Sequence, residues 1–217
     1  IEKEMKQYHL GGILFSKGTR KSQTMFVDYA QQQSQKMNRL PLLIAADAEW
    51  GSAMRLKDGV RFPMNKDLAT IDPNVRDSLM YQYGVAMAQE CHDLGIHISF
   101  APVMDINSNP KNPIIGARSF GADPSVVISC GLSYAAGLED GGVMAVAKHF
   151  PGHGSSFEDS HKTLPVIDKS LAELNLCEFT PFRKYIDAGL SGMLTAHLYV
   201  PSIDKERKPS TMSRKCV

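Results

Sequence analysis

The chain has 217 residues, 43% of them hydrophobic and 22% charged, enough for one large domain or two small ones with a real core. Its 24 Lys and Arg stand against 23 Asp and Glu, a formal charge of +1, which argues against a nucleic-acid groove. No apolar run reaches the ~18 residues of a membrane-spanning helix, and the composition excludes a disordered or collagen-like chain.

Five short apolar runs punctuate the sequence: Gly12 to Phe15, Leu42 to Ala46, Ile96 to Phe100, Val143 to Ala147, and Gly192 to Ala196. Each is strand-sized without clean polar alternation, the pattern of strands buried on both faces. Helix signals fill the intervals. Asp72-Pro73 is an N-cap followed by proline at the first helical position; Val75, Leu79, Tyr83, Ala86 and Met87 follow at helical spacing, and Gly95 marks the stop. Asp123-Pro124 and Gly141-Gly142 repeat that opening and stop. Ser170 with Glu173 reads as a capping box ahead of Leu171, Leu174 and Phe179.

Alternating strands and helices imply a parallel sheet with crossover helices. A doubly wound sheet would normally carry a Gly-rich nucleotide turn after its first strand, and none is present. A (β/α)-barrel instead places its chemistry at the C-terminal ends of several strands. Asp47 and Glu49 follow the second run, Asp105 the third, Lys148 and His149 end the fourth, and His197 ends the fifth. The expected fold is thus an α/β, (β/α)8 TIM-type barrel, incomplete because five strands are fewer than eight. The chain starts with Ile1 rather than Met, with no signal-peptide pattern, so residues 1–217 are expected to be part of one barrel domain truncated at both ends. Cys91, Cys130, Cys177 and Cys216 show neither C-x-x-C nor zinc-type spacing and read as free, mostly buried thiols.

The densest constellation runs from Lys148-His149-Phe150-Pro151-Gly152-His153-Gly154 to Asp159-Ser160-His161. One reading is a solvated loop of hydrogen-bonding histidines. A second is a metal site from His149, His153, Asp159 and His161, although the H-x3-H spacing falls on a Pro-Gly loop rather than a helix face. A serine hydrolase is excluded: G-x-S-x-G is absent and Ser133 falls mid-helix. The third reading makes Asp159 and His161 a proton-transfer dyad, the carboxylate orienting a ring that titrates near neutrality. Lys148, His149, Arg118 and Asp47 would then hydrogen-bond a polyhydroxylated substrate. The plainer readings are an ion pair at the barrel mouth for Arg118 and a cap for Asp47.

These residues resemble the catalytic barrel of family 3 glycoside hydrolases, in the β-N-acetylglucosaminidase branch. The resemblance rests on Gly11-Gly12-Ile13-Leu14-Phe15, Ala46-Asp47-Ala48-Glu49-Trp50-Gly51, Phe100-Ala101-Pro102-Val103-Met104-Asp105, Ile115-Gly116-Ala117-Arg118-Ser119-Phe120 and Thr195-Ala196-His197. Its most specific mark is the Lys148-to-Gly154 run followed by Asp159-Ser160-His161. It implies a retaining, exo-acting hydrolase that removes terminal β-linked N-acetylglucosamine from an oligosaccharide or glycoside, peptidoglycan fragments among them, without metal or other cofactor. By the same resemblance His161 is general acid/base with Asp159 as partner, and Asp47, Arg55, Arg118, Lys148 and His149 bind sugar. The alternatives are a family 3 β-glucosidase or broad exo-hydrolase, and a non-catalytic carbohydrate-binding barrel. Trp50 stands where many members of the branch carry glycine. The family's nucleophile is an aspartate on the next strand, expected beyond Val217; Asp204 does not match that motif.

Overall fold

The computed structural model describes residues 1–217. Five strands, β1 (Gly12–Phe15), β2 (Leu43–Ala46), β3 (Ile98–Ser99), β4 (Met144–Phe150) and β5 (Gly192–Thr195), form one sheet. Every neighbouring pair is parallel, and the spatial order follows the chain order. A doubly wound sheet reverses its order at a switch point where it binds ligand. This sheet has no such reversal, so the strands step one way round, the topology of a partial (β/α)-barrel.

The helices are α1 (Glu2–Tyr8), α2 (Arg20–Lys36), α3 (Asn65–Leu68), α4 (Pro73–Asp93), α5 (Pro124–Asp140), α6 (Leu171–Leu176) and α7 (Phe179–Asp187). Both expected Asp-Pro openings form, Asp72 accepting from the Asn74 N–H and Asp123 from the Ser125 N–H. The Ser170–Glu173 capping box is also present. A capping box of Thr19 with Ser22 opens α2, a helix for which the sequence reading named no signal. The stretch read as one helix from Leu171 through Phe179 is two, broken at Cys177. Pro181 explains the break: a helical proline clashes with the carbonyl four residues back, here that of Cys177, but is tolerated in the first turn of a new helix.

Two strands differ from the sequence reading. β3 is short because Pro102 has no N–H for the ladder. The chain nevertheless stays beside β4, Val146 donating to the Ala101 carbonyl at 2.8 Å and Met104 to the Lys148 carbonyl at 2.7 Å, and so delivers Asp105 to the sheet's C-terminal edge. β4 runs past Ala147, so Lys148 and His149 stand on the sheet rather than in a loop. Lys148 pairs with Leu194 and Phe150 with Thr195, leaving His149 as the extra residue of a bulge.

Ile44, Ala46, Ala145 and Ala147 face the helices and belong to the main apolar core. Above them α4 and α5 pack at glycine distance: a Cβ on Gly84 would lie 2.3 Å from the Tyr134 carbonyl oxygen, and one on Gly137 2.1 Å from that of Tyr81. That approach brings the Tyr83 and Tyr134 hydroxyls together, each donating at 3.2 Å to the backbone carbonyl of Glu49. The segment after β2 is thereby held by the helical layer.

The opposite face of the sheet corrects one expectation. Leu14, Leu43 and Met144, read as buried on both sides, are exposed on the inner face, since five strands do not close around it. No helix is long and apolar enough to cross a membrane. A polypeptide of residues 1–217 alone is expected to bind an environment-sensitive apolar dye and to self-associate through this face. Light scattering and dye fluorescence test this; a dye-silent monomer would show that the inner face is covered some other way.

Candidate active site

A cleft of about 560 Å³ opens at the C-terminal edge of the sheet. It is lined by Asp47, Arg55, Arg118, Lys148, His149 and His161 among others, so six of the seven residues to which the family resemblance gave a role share one cavity. The seventh, Asp159, touches the cleft through His161.

The floor is an alternating chain of charges. Lys148, with a side chain only 2% exposed, places Nζ 2.8 Å from Asp47 Oδ1 and 2.7 Å from Glu49 Oε1. Arg55 pairs with the other oxygen of Asp47. Arg118 grips Glu49 with two donors, Nε to Oε2 at 2.9 Å and Nη2 to Oε1 at 2.7 Å. The ion pair weighed for Arg118 is thus real, whereas Asp47 is no cap. Glu49 is fully buried. Burial acts to raise its carboxyl, but the Lys148 charge and the Arg118 hydrogen bonds outweigh that and hold it below its ordinary value. Asp47 is lowered by the same balance, with Lys148 and Arg55 opposing desolvation.

Asp105 is the second buried anion. Its Oδ2 accepts from the His149 backbone N–H at 3.0 Å and faces the ring Nδ1 at 2.6 Å; its Oδ1 accepts from the His153 N–H at 2.6 Å. Desolvation would raise it, yet the interactions with His149 and His153 leave it lowered. The Arg118 Nη2 lies 3.2 Å from His149 Nε2 and can only donate. His149 therefore accepts at Nε2 and carries its proton on Nδ1 toward Asp105. Both nitrogens are engaged, so His149 is not free to join His153, Asp159 and His161 as a metal ligand, and these residues do not converge as a donor set.

Asp159 and His161 sit on the rim, beyond β4. Asp159 Oδ1 accepts from the His161 backbone N–H and faces its Nδ1, each at 2.9 Å. The His161 backbone and ring hydrogen bonds lower the Asp159 carboxyl. The His161 side chain is 80% exposed, and its Nε2 has no protein partner. The chain reaches this rim through Gly154, where a Cβ would lie 1.8 Å from the Ile106 carbonyl oxygen, so no other residue fits that passage.

The roles of Glu49, Asp105 and His153 were not legible as such, although Glu49 and Asp105 stood out at strand ends and His153 as a candidate metal ligand. The spacing of Asp47 and Glu49 held a signal, because alternate residues of an extended segment share a face. Asp204, which does not match the nucleophile motif, is buried in its own cluster with Ser213 and Lys208. Cys91 and Cys130 are buried and Cys177 and Cys216 half-buried, all as free thiols.

The model of the glycosyl hydrolase family 3 N-terminal domain matches residues 1–217. The chain belongs to glycosyl hydrolase family 3. Beta-hexosaminidase A of Pseudoalteromonas piscicida is 36% identical over 96% of this chain and 38% of its own length. A family 3 beta-N-acetylglucosaminidase from Paenibacillus sp. str. FPU-7 superposes with a TM-score of 0.90 at 34% identity, covering 100% of this chain and 41% of that one. NagZ from Neisseria gonorrhoeae, solved with N-trifluoroacetyl-D-glucosamine, gives a TM-score of 0.88 at 29% identity over 100% of this chain and 64% of its own. This family 3 domain therefore spans less than two thirds of each of those relatives.

The charge chain makes a stability prediction. Glu49 titrates below its ordinary value in the fold, so its contribution is complete above the ordinary glutamate range and is lost as pH falls through the lowered folded value. Glu49→Gln leaves Lys148 and Arg118 short of a counter-charge and is expected to cost about 3–5 kcal/mol near neutrality, with a flatter acid limb below about pH 4. Denaturant titrations of both forms across pH measure this; equal stability at pH 7 would refute the charge-chain account.

Proposed function

We propose that the protein containing this chain is a retaining, exo-acting β-N-acetylglucosaminidase, and that residues 1–217 are part of a single barrel domain whose remaining strands lie outside them. The observation that carries the reading is the rim dyad, a histidine oriented at Nδ1 by Asp159 with Nε2 open to the cleft. Such a ring can give a proton to a leaving glycosidic oxygen and later take one from water. The two steps are those of retention: a carboxylate attacks the anomeric carbon as the leaving oxygen is protonated, and water then releases the sugar from the glycosyl-enzyme. In this proposal His161 is the general acid/base and Asp159 its orienting partner. Asp47, Arg55, Arg118, Lys148 and His149 form the floor that holds the sugar, and the nucleophile lies beyond Val217.

The substrate class is an oligosaccharide or glycoside ending in β-linked N-acetylglucosamine, with peptidoglycan fragments within it. The names of the relatives and the N-acylated glucosamine bound to the Neisseria protein support this choice. A β-glucosidase would instead turn over the aryl glucoside faster than the aryl N-acetylglucosaminide, and a non-catalytic barrel would bind either without turnover.

In the full-length protein, His161→Ala is expected to lower kcat on poor leaving groups by roughly 10²–10⁴-fold and to spare the glycosylation step of activated aryl glycosides. Asp159→Asn should act in the same direction. Equal loss across leaving groups, with deglycosylation shown not to limit the rate, would remove His161 from proton transfer.

The proposed position of the nucleophile makes a second prediction. A polypeptide ending at Val217 should show no turnover of an activated N-acetylglucosaminide, although the whole charged floor is present. Turnover, with a mechanism-based fluorosugar trapped on one of its own carboxylates, would place the nucleophile within this chain.

A further inference from the structure

The rim dyad is built on a segment with very little holding it. Glu158 is fastened to the Ser156 side chain, and the Pro165 carbonyl accepts from the Tyr199 N–H at 2.9 Å. Between these anchors, residues 159–164 hydrogen-bond among themselves and to Glu158: His161 and Lys162 to Asp159, and Thr163 to Asp159 and Glu158. One hydrogen bond joins this stretch to the rest of the protein. It runs between His153 Nε2 and Ser160 Oγ, at 2.9 Å.

The two ends of that bond differ greatly in rigidity. His153 is 2% exposed. Its N–H is held by Asp105 at 2.6 Å, and its carbonyl accepts from Asn112 Nδ2 at 2.8 Å. Its ring stands edge-on to that of His149, which the charged floor immobilises. Ser160 lies directly between Asp159 and His161. Both His153 and Ser160 line the cleft.

We propose that His153 is the positioning residue of the dyad: it latches Ser160 to the charged floor and so sets where His161 meets the leaving group. The inference rests on the acid/base reading of His161. It assigns His153 no contact with the reacting atoms. It also accounts for a buried histidine that neither the charge chain nor the proton transfer uses directly. Burial lowers the basicity of His153, against the opposing pull of Asp105, which suits a latch made by a neutral ring. With one bond as tether, the segment opens locally at small cost, so the latch sets the fraction of time the dyad is in place.

The test uses the full-length protein with two independent readouts. Ser160→Ala deletes the latch and leaves His153 where it is; Ser160→Thr keeps a hydroxyl. Ser160→Ala is expected to lower kcat on an unactivated N-acetylglucosaminide by about three- to tenfold, the worth of one net hydrogen bond, with KM unchanged and an activated aryl glycoside little affected. Ser160→Thr should recover most of the loss. His153→Phe should lose no more in combination with Ser160→Ala than either does alone, because both cut the same bond. Trypsin supplies the readout that needs no catalysis: cleavage after Lys162 in the native protein should speed up by a similar factor in Ser160→Ala.

Cleavage and leaving-group dependence both unchanged in Ser160→Ala would overturn the latch. So would additive losses in the double variant, or a loss in Ser160→Ala confined to KM, which would make the Ser160 hydroxyl a sugar contact. A wild-type protein inert on N-acetylglucosaminides would instead sink the acid/base reading, and the latch with it. An active wild type whose His161→Ala is leaving-group dependent while Ser160→Ala is not would sink the latch alone.

Discussion

Everything in the cleft depends on one buried carboxylate having two cations to share it. Glu49 sits between Lys148 from β4 and Arg118 from the segment before α5, so one anion ties three distant stretches of chain. An ionised carboxylate without those partners would not remain charged in so dry a position. Arg55, Asp47, Lys148, Glu49, Arg118 and Asp105 supply three cations and three anions, linked through His149. Mutual neutralisation lets this much charge stand at the end of a sheet with an apolar core on its helical side.

That arrangement separates two kinds of histidine. His149 is immobilised at its backbone N–H and at both ring nitrogens, which makes it a fixed hydrogen-bonding surface. His161 is held at one nitrogen by a neighbour two residues away and is otherwise open. The proposed function, which grips a sugar and moves a proton, calls for both properties. Here they are distributed between the sheet, which carries His149, and the segment beyond it, which carries His161. His153 joins the two parts: it is held on the rigid side, and its Nε2 reaches Ser160 on the loose one.

The helical layer reaches this chemistry through backbone rather than charge. Gly84 and Gly137 let α4 and α5 approach until the hydroxyls of Tyr83 and Tyr134 meet over the Glu49 carbonyl. The pair of tyrosines fixes the peptide, and the cations then fix the side chain. Pro102 acts from the other side, ending β3 early while the chain continues beside β4 and carries Asp105 under His149.

What the sequence determined by itself was local. The Asp-Pro helix openings, the Ser170 capping box and the order of strands and helices follow from contacts within a few residues, where spacing alone sets geometry. The Asp159–His161 pair belongs with them, since a carboxylate accepting from the backbone and ring two residues on is a local turn. Tertiary structure decided the rest. Asp47 could have been a cap, and no spacing relates Glu49 to Lys148 or Asp105 to His149, which meet only when separate strand ends are brought to one edge. The exposed inner faces of Leu14, Leu43 and Met144 have the same origin, since they depend on how far a sheet closes. Short-range hydrogen bonds are encoded by neighbours, whereas the burial of a charge is set by everything that folds around it.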